Sequence, residues 1–159
     1  MAVHYFEMRA LGELIPASSP KIVDVQEVVP ADGSVNQRFY LKVGRDWDWR
    51  DRAGWTLEQW QETVGDFAIV TLTLHHQNQE IGYSEIRVQE ADIEILNFGL
   101  IPECVGQGLG GPALVAVVRY TWDQLRAQRV WLHTCDRDHP NAINNYKRRG
   151  FAWYKTVEE

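Results

Sequence analysis

A glycine-rich string, VGQGLGG at residues 105–111, constrains the fold of this chain more than any other feature of its sequence. It follows the apolar segment ADIEILNFGLI (91–101), which is typical of a β-strand, and it precedes a periodic apolar segment that predicts a helix to about Gln128. A glycine turn at the start of a helix leaves backbone N–H groups unpaired at the positive end of the helix dipole, which suits phosphate. RVWLHTCD (129–136) completes a βαβ unit, so its strand is predicted to lie parallel to the first.

The remaining segments predict a mostly antiparallel sheet beside this crossover. FAIVTLTLHH (67–76) and EIGYSEIRVQ (80–89) are typical strands, and short connections favour a meander with the strand at 91–101. Further strands are predicted at 4–11 and 151–157, helices at 34–44, 56–65 and 141–150, and a mainly irregular segment with at most a short strand at 18–34. The predicted fold is mixed α+β, with about six strands and about four helices.

Composition excludes several classes of protein. A chain of 159 residues with 45% apolar side chains supports one core, so residues 1–159 are predicted to form one domain. No apolar run approaches the ~20 residues of a membrane span, and the charged first segment lacks the apolar stretch of a signal peptide. The net charge of -6 argues against a nucleic-acid partner. A cytoplasmic monomer or homodimer, bound to neither membrane nor nucleic acid, is expected.

Two other phosphate-binding motifs fit the glycine string less well. A P-loop requires Gly-Lys-Ser/Thr, whereas Gly111 is followed by Pro112 and Ala113. The dinucleotide fingerprint G-x-G-x-x-G is satisfied by Gly106, Gly108 and Gly111. Only residues 137–159 remain after the next strand, however, which is too little chain for the further βα units of a dinucleotide fold. An oxidoreductase therefore remains a weaker alternative.

Residues 100–110, LIPECVGQGLG, resemble the acyl-CoA-binding signature of the GNAT superfamily of N-acetyltransferases. That signature is an apolar strand end and a proline followed by Q/R-x-x-G-x-G/A. Residues 142–151, AINNYKRRGF, are similar to the A-I-x-x-Y-x-x-x-G-F of the same superfamily. The resemblance covers roughly residues 66–157, because the meander before the two motifs also matches. Val105 and His139 depart from it, standing where the family prefers Gln or Arg and Asn.

The resemblance implies direct transfer of an acetyl or longer acyl group from acetyl-CoA to the primary amine of a small molecule or peptide, without a metal. Tyr146 occupies the position of the family's acid, and the Leu100 N–H that of the oxyanion donor. Glu94, on the same strand, is the predicted base, and strand alternation is expected to put residues 94, 96, 98 and 100 on one face. The implied cofactor-binding residues are Phe98, Gly99, Leu100, Val105, Gly106, Gln107, Gly108, Leu109, Gly110, Gly111, His139 and Asn144.

An excess of tryptophan marks the predicted acceptor region. Four of the seven tryptophans fall between residues 47 and 60, in the region where the resemblance places the acceptor groove. Trp47 and Trp49 are the predicted acceptor-binding rings, because aromatic walls suit a cationic or ring-bearing amine. Glu85 and His133 are predicted to bind the acceptor or to replace Glu94 as the base. Packing of helices onto the sheet is the alternative for any one ring.

Two further alternatives remain. The departures at Val105 and His139 allow a non-catalytic acyl-CoA sensor. Cys135 is a conceivable acyl carrier, although a strand cysteine is usually a small apolar side chain. The histidines and cysteines match no metal-ligand spacing, so no metal is predicted.

Overall fold

The computed structural model describes residues 1–159 as one seven-stranded sheet with helices on both faces. The strands are β1 (Ala2–Met8), β2 (Asp24–Glu27), β3 (Ile69–His76), β4 (Gln79–Gln89), β5 (Asp92–Leu100), β6 (Arg129–Cys135) and β7 (Ala152–Glu158). The helices are α1 (Gly33–Val43), α2 (Leu57–Gly65), α3 (Gly110–Asp123) and α4 (Ala142–Arg148), with short 3₁₀ turns at Leu11–Glu13, Gly44–Asp46 and Pro102–Cys104. No helix is both long and apolar enough to cross a membrane.

The strand order is β2-β3-β4-β5-β6-β1-β7, and only β5 and β6 are parallel. The antiparallel meander β3-β4-β5 and the parallel β5-α3-β6 crossover are therefore confirmed. The strand count is seven instead of about six, because Asp24–Glu27 adds β2 to the edge of β3. A dinucleotide-binding fold, which needs several parallel strands, does not fit this sheet.

Each face of the sheet buries its own apolar cluster. The larger cluster lies between the sheet and α3, and includes Phe6, Ile86 and Val117, each 0% exposed. The smaller cluster packs α1 and α2 onto the opposite face through Phe39 and Trp60, at 1% and 0%. Burial of aromatic side chains of this size is a large share of folding stability, so both helical layers are fixed to the sheet.

Helix α3 ends at Asp123, five residues before the predicted end near Gln128. Gln124 caps the helix, and Arg126 adopts a left-handed backbone with φ of 57°. A left-handed residue cannot continue a right-handed helix, so the chain turns there into β6. Leu125 packs against the large cluster from this turn.

Strand β5 contains a β-bulge at Leu96. Glu85 of β4 pairs with Asn97, whereas the next residue, Ile86, pairs with Ile95. Leu96 is left without a partner, because two residues of β5 span one step of β4. Alternation of side chains along β5 is therefore interrupted at this point.

The bulge makes the predicted common face of residues 94, 96, 98 and 100 wrong. Directly opposite residues of antiparallel strands share a face. Glu94 lies opposite Arg87 and Asn97 lies opposite Glu85, so both belong to the α1/α2 face. Phe98 and Leu100 fall on the other face and pack against the large cluster with α3. One inserted residue has reversed the phase of the strand.

Strands β5 and β6 are paired only at their beginnings. Asp92–Glu94 align with Arg129–Trp131, and no pairing extends beyond them. The C-terminal part of β5 therefore separates from β6, and the sheet opens between them. Both the glycine string and α4 follow strands that border this opening.

Candidate active site

A cavity of about 450 Å³ lies at the opening between β5 and β6. Its wall is formed by the end of β5, the glycine string, α4, the segment 17–19 and the loop that follows α1. This size suits a small ligand or one arm of a longer one.

Most of the predicted site residues lie in this wall. The predicted cofactor-binding residues that line it are Phe98, Gly99, Leu100, Val105, Gly106, Gly108, Gly110, Gly111, His139 and Asn144. Tyr146, Trp47 and Trp49 also line it. The lining does not include Gln107, whose side-chain amide donates to the Glu103 carbonyl, or Leu109, which is buried in the core. It also excludes Glu85, Glu94 and His133.

The glycine string has the backbone conformation that its sequence predicts. Gly106 and Gly108 adopt φ of 80° and 74°, a region that strains other residues. Helix α3 begins at Gly110 with no side-chain cap and no acidic residue in its first turn. Its first N–H groups and the positive end of its dipole are therefore free to receive an anion at the cavity wall.

Arg148 and Arg149 add positive charge to the cavity, and the predicted site did not include them. The Nε atom of Arg149 is buried and has no hydrogen-bond partner. Burial, followed by the neighbouring Arg148, lowers the pKa of Arg149. A Cβ atom at Gly111 would collide with its guanidinium, so that glycine makes room for the arginine. The signal in the sequence was the pair of arginines inside the second motif.

The edge of β5 turns backbone donors toward the opening. The N–H of Ile101 donates to the Ile81 carbonyl on the β4 side, at 2.8 Å. Successive N–H groups of a strand point to opposite edges, so those of Leu100 and Phe98 point toward β6. They lie where β6 has separated from β5 and no longer pairs with it.

Tyr146 is 6% exposed and contacts the cavity from α4. Its ring packs between Phe6 and Phe151, with centroid distances of 5.7 and 6.1 Å. Burial, and secondly the charge of Asp138, raises the pKa of Tyr146 well above its usual value. The phenol is therefore protonated at neutral pH and available as a donor.

Glu94 lies on the α1/α2 face, with its side chain 10% exposed. Its nearest basic side chains are Arg87 at 3.5 Å and His133 at 3.9 Å. Burial raises the pKa of Glu94, against the opposing effects of His133 and Arg87. A carboxyl group with a raised pKa is better matched to proton transfer near neutral pH than an exposed one.

Glu85 is fully buried and already paired. Its carboxylate accepts from Arg52 Nη1 and from Asn36 Nδ2, both at 2.8 Å. The hydroxyl of Tyr83 and the Nδ2 of Asn97 are buried without partners on the same face. Glu85 thus holds the loop after α1 to the sheet through Arg52.

The four clustered tryptophans divide into two pairs. Trp47 packs against the His139 ring at 4.6 Å, and Trp49 packs against Tyr40 at 5.3 Å; both reach the cavity. Trp55 and Trp60 contact each other at 4.9 Å in the small apolar cluster. Trp47 and Trp49 fit the predicted groove, although Trp49 also packs against the small cluster, and Trp55 and Trp60 fit the packing alternative.

The parallel crossover, whose strands separate over the glycine-rich start of α3, agrees with the acyl-CoA-dependent transferase fold that the sequence resemblance implies. A family model described as the acetyltransferase (GNAT) domain matches residues 19–152. The chain therefore belongs to the GNAT acetyltransferase family, and the resemblance seen in the sequence is confirmed. No curated protein matches the sequence.

Solved structures agree with this fold. A GCN5-related N-acetyltransferase from Kribbella flavida has 16% identity and a TM-score of 0.67, over 98% of this chain and 56% of its own. One from Sphaerobacter thermophilus has 14% identity and a TM-score of 0.71, over 98% of this chain and 49% of its own. This chain thus spans about half the length of these two structures.

A third structure is closer in length to this chain. The spermidine N-acetyltransferase from Vibrio cholerae, in complex with CoA and spermine, has 16% identity and a TM-score of 0.62, over 82% of this chain and 80% of its own. At such identities the likeness is one of fold.

Proposed function

We propose that this domain transfers an acetyl group from acetyl-CoA to a primary amine. The observation that carries the proposal is the cavity between the separated strands, where the free start of α3 adjoins Arg149, whose Nε atom is buried without a hydrogen-bond partner. These groups suit the phosphates of CoA, because helix N–H groups and arginine both bind phosphate well. The CoA and spermine bound to the Vibrio cholerae enzyme support a CoA donor and an amine acceptor.

The acyl donor is proposed to run from the glycine string to the end of β5. Its amide groups pair with the free edge at Phe98–Leu100, as an added strand would. The Leu100 N–H then donates to the oxyanion that forms when the amine attacks the thioester carbonyl. When the C–S bond breaks, Tyr146 gives its proton to the CoA sulfur.

The acceptor is proposed to enter from the α1/α2 side, between Trp47 and Trp49. An alkyl amine with a pKa near ~10.4 is mostly protonated at neutral pH, so a proton must leave before or during attack. Glu94 is proposed to accept it through water, because its carboxyl lies on this face but outside the cavity wall. His133, 3.9 Å from Glu94, is the rival for the same role.

The test of the proposed function is calorimetry followed by turnover. We expect acetyl-CoA and CoA to bind, and NAD to show no binding. Release of free thiol is then measured with 2-phenylethylamine, spermine, tryptamine and an alanyl peptide as acceptors. Absence of acetyl-CoA binding would contradict the proposal.

Tight acetyl-CoA binding without thiol release for any amine would instead favour the acyl-CoA sensor. The observation that favours this second candidate is Val105, which is 40% exposed at the cavity wall and offers the donor no polar side chain.

The base is tested by the pH profile of kcat/KM. Glu94→Gln is expected to remove the acidic limb that wild type shows, and His133→Gln to leave it in place. The reverse pattern would assign the base to His133.

A further inference from the structure

Asp138 is the one carboxylate that lines the cavity. It lies in the connection between β6 and α4, four residues before the second motif and outside the predicted site. Its Oδ1 accepts from the indole N–H of Trp49 at 3.3 Å and from the backbone N–H of His139 at 2.8 Å. Its Oδ2 accepts from the Thr134 hydroxyl at 2.8 Å. The carboxylate is therefore held in one orientation by three donors.

None of these donors is a cation. A carboxylate has about four acceptor positions, so one remains for a further donor. The neighbouring carboxylates differ in this respect, because Asp48 pairs with Arg137 at 2.9 Å and Glu85 with Arg52 at 2.8 Å. Asp138 thus has no arginine, lysine or histidine side chain as an ion-pair partner.

Aromatic groups surround this charge. Trp49 donates to it, Trp47 packs on the adjacent His139 ring, and Tyr146 lines the same cavity. Burial, and secondly the charge of Asp138, raises the pKa of Tyr146. A carboxylate with an open acceptor position beside aromatic rings suits an alkylammonium group.

We infer that Asp138 binds the ammonium group of the acceptor, between Trp49 and His139, and selects cationic over neutral acceptors. The inference rests on the proposed function and adds to it the residue that binds the ammonium group of the acceptor. It also gives the two tryptophans separate roles: Trp49 orients the carboxylate, and Trp47 supplies an aromatic wall. The amine is held in its charged form next to the proposed acid until its proton is removed.

The experiment compares 2-phenylethylamine with its neutral isostere 2-phenylethanol. Both are titrated calorimetrically into wild type, with and without saturating CoA. Loss of one charge-assisted contact is worth roughly tenfold or more in affinity, so wild type is expected to bind the amine at least that much more tightly than the alcohol. Asp138→Asn preserves the shape of the side chain and is expected to reduce this preference to within about twofold.

The matched control is Asp136→Asn, two residues earlier in the chain. Asp136 accepts from His4 and from the Ala2 N–H, and it does not line the cavity. This variant is expected to keep the preference of wild type. Retained preference in Asp138→Asn, or equal binding of amine and alcohol in wild type, would overturn the inference. Absence of saturable amine binding to wild type would also overturn it.

Acetyl-CoA titration of the same three proteins separates the two proposals. If wild type binds acetyl-CoA normally but binds amine and alcohol equally, only the proposed role of Asp138 is contradicted. Failure of acetyl-CoA to bind would remove the proposed function, while the titrations without CoA still decide whether Asp138 selects ammonium. Circular dichroism melting verifies that each variant is folded. If Asp138→Asn does not fold, the amine-to-alcohol comparison in wild type decides the outcome.

Discussion

One side of the cavity presents mainly backbone groups, and the other presents mainly side chains. The side formed by the glycine string and β5 presents backbone N–H groups, placed by Gly106, Gly108 and the free edge of a strand. The side formed by the loop after α1 presents side chains, which are held by a buried ion pair between Arg52 and Glu85.

This difference explains why one side is recognised in the sequence and the other is not. A backbone cradle needs a particular chain conformation, and glycine at a left-handed position is a local sign of it. A side-chain wall depends on partners far apart in the chain, such as Trp49 with Asp138 and Arg52 with Glu85. The contrast predicts that changes on the loop side act on stability or acceptor binding, and changes on the backbone side act on the acyl donor.

The largest effect is expected from Arg52→Ala. It leaves the fully buried Glu85 without its cation, and removal of one partner of a buried pair costs about 3–5 kcal/mol of unfolding free energy. Urea unfolding measures this loss. The control is Arg38→Ala, whose pair with Glu80 has side chains 49% and 41% exposed and is worth at most about 1 kcal/mol. Equal losses of unfolding free energy in the two variants would contradict the idea that the buried ion pair holds the loop side of the cavity.

Tyr146→Phe is expected to lower kcat about 100-fold, because the leaving sulfur loses its proton donor. The Kd of acetyl-CoA should stay within about twofold of wild type, since the ring and its packing are kept. Stopped-flow thiol release and calorimetry measure the two quantities. Tyr154→Phe, which removes a hydroxyl bonded to Arg129 outside the cavity, should leave kcat unchanged. An unaltered kcat in Tyr146→Phe would exclude it as the acid.

Gly108→Val is expected to raise the Kd of acetyl-CoA about 30-fold. The residue has φ of 74°, and a β-branched side chain there costs about 1–3 kcal/mol or forces the loop to change shape. Gly12→Val is the control, because Gly12 has open space around it and no left-handed backbone. If both variants bind acetyl-CoA like wild type, the cradle does not depend on this conformation.

Trp47→Ala is expected to raise the KM of the best amine acceptor about fivefold, as one aromatic face near a cation is worth about 1 kcal/mol. Acetyl-CoA affinity should not change. Phe67→Ala, which removes a 99% exposed ring, is the control. A rise in the Kd of acetyl-CoA similar to the rise in KM would contradict the prediction that the loop side acts on the acceptor alone.

Glu94→Gln is expected to have the smallest effect on the free energy of unfolding, below about 1 kcal/mol. Burial raises the pKa of Glu94 above its usual 4.5, so the folded state holds this proton more tightly than the unfolded state. The resulting stabilisation is present below pH 4.5 and is lost as the pH rises through the raised pKa. Wild type should therefore lose stability relative to Glu94→Gln as the pH rises from 4.5 through the raised pKa of Glu94. If urea unfolding instead shows that wild type gains unfolding free energy relative to Glu94→Gln over that range, the raised pKa of Glu94 is contradicted.

Particular residues show how much of the structure can be predicted from the sequence. The prediction of helix α2 holds in detail, because Thr56 and Gln59 cap it through local hydrogen bonds. The prediction of a common face for Glu94 and Leu100 is wrong, because the bulge at Leu96 arises from pairing with β4. Arg149 and Asp138 were missed for a similar reason. Their significance lies in missing or uncharged partners, which becomes visible only when the surrounding elements are assembled.

The sequence by itself determined the family, through the resemblance of its two motifs, and it also predicted most of the strands and helices and the glycine cradle. The elements and the cradle depend on hydrophobic periodicity, capping and φ preferences, which act over a few neighbouring residues. Only the tertiary structure decided which charges remain free: Glu85 is neutralised by Arg52, whereas Asp138 receives neutral donors alone. That distinction is a property of long-range contacts, because whether a carboxylate meets a cation or a neutral donor depends on which distant segments pack beside it.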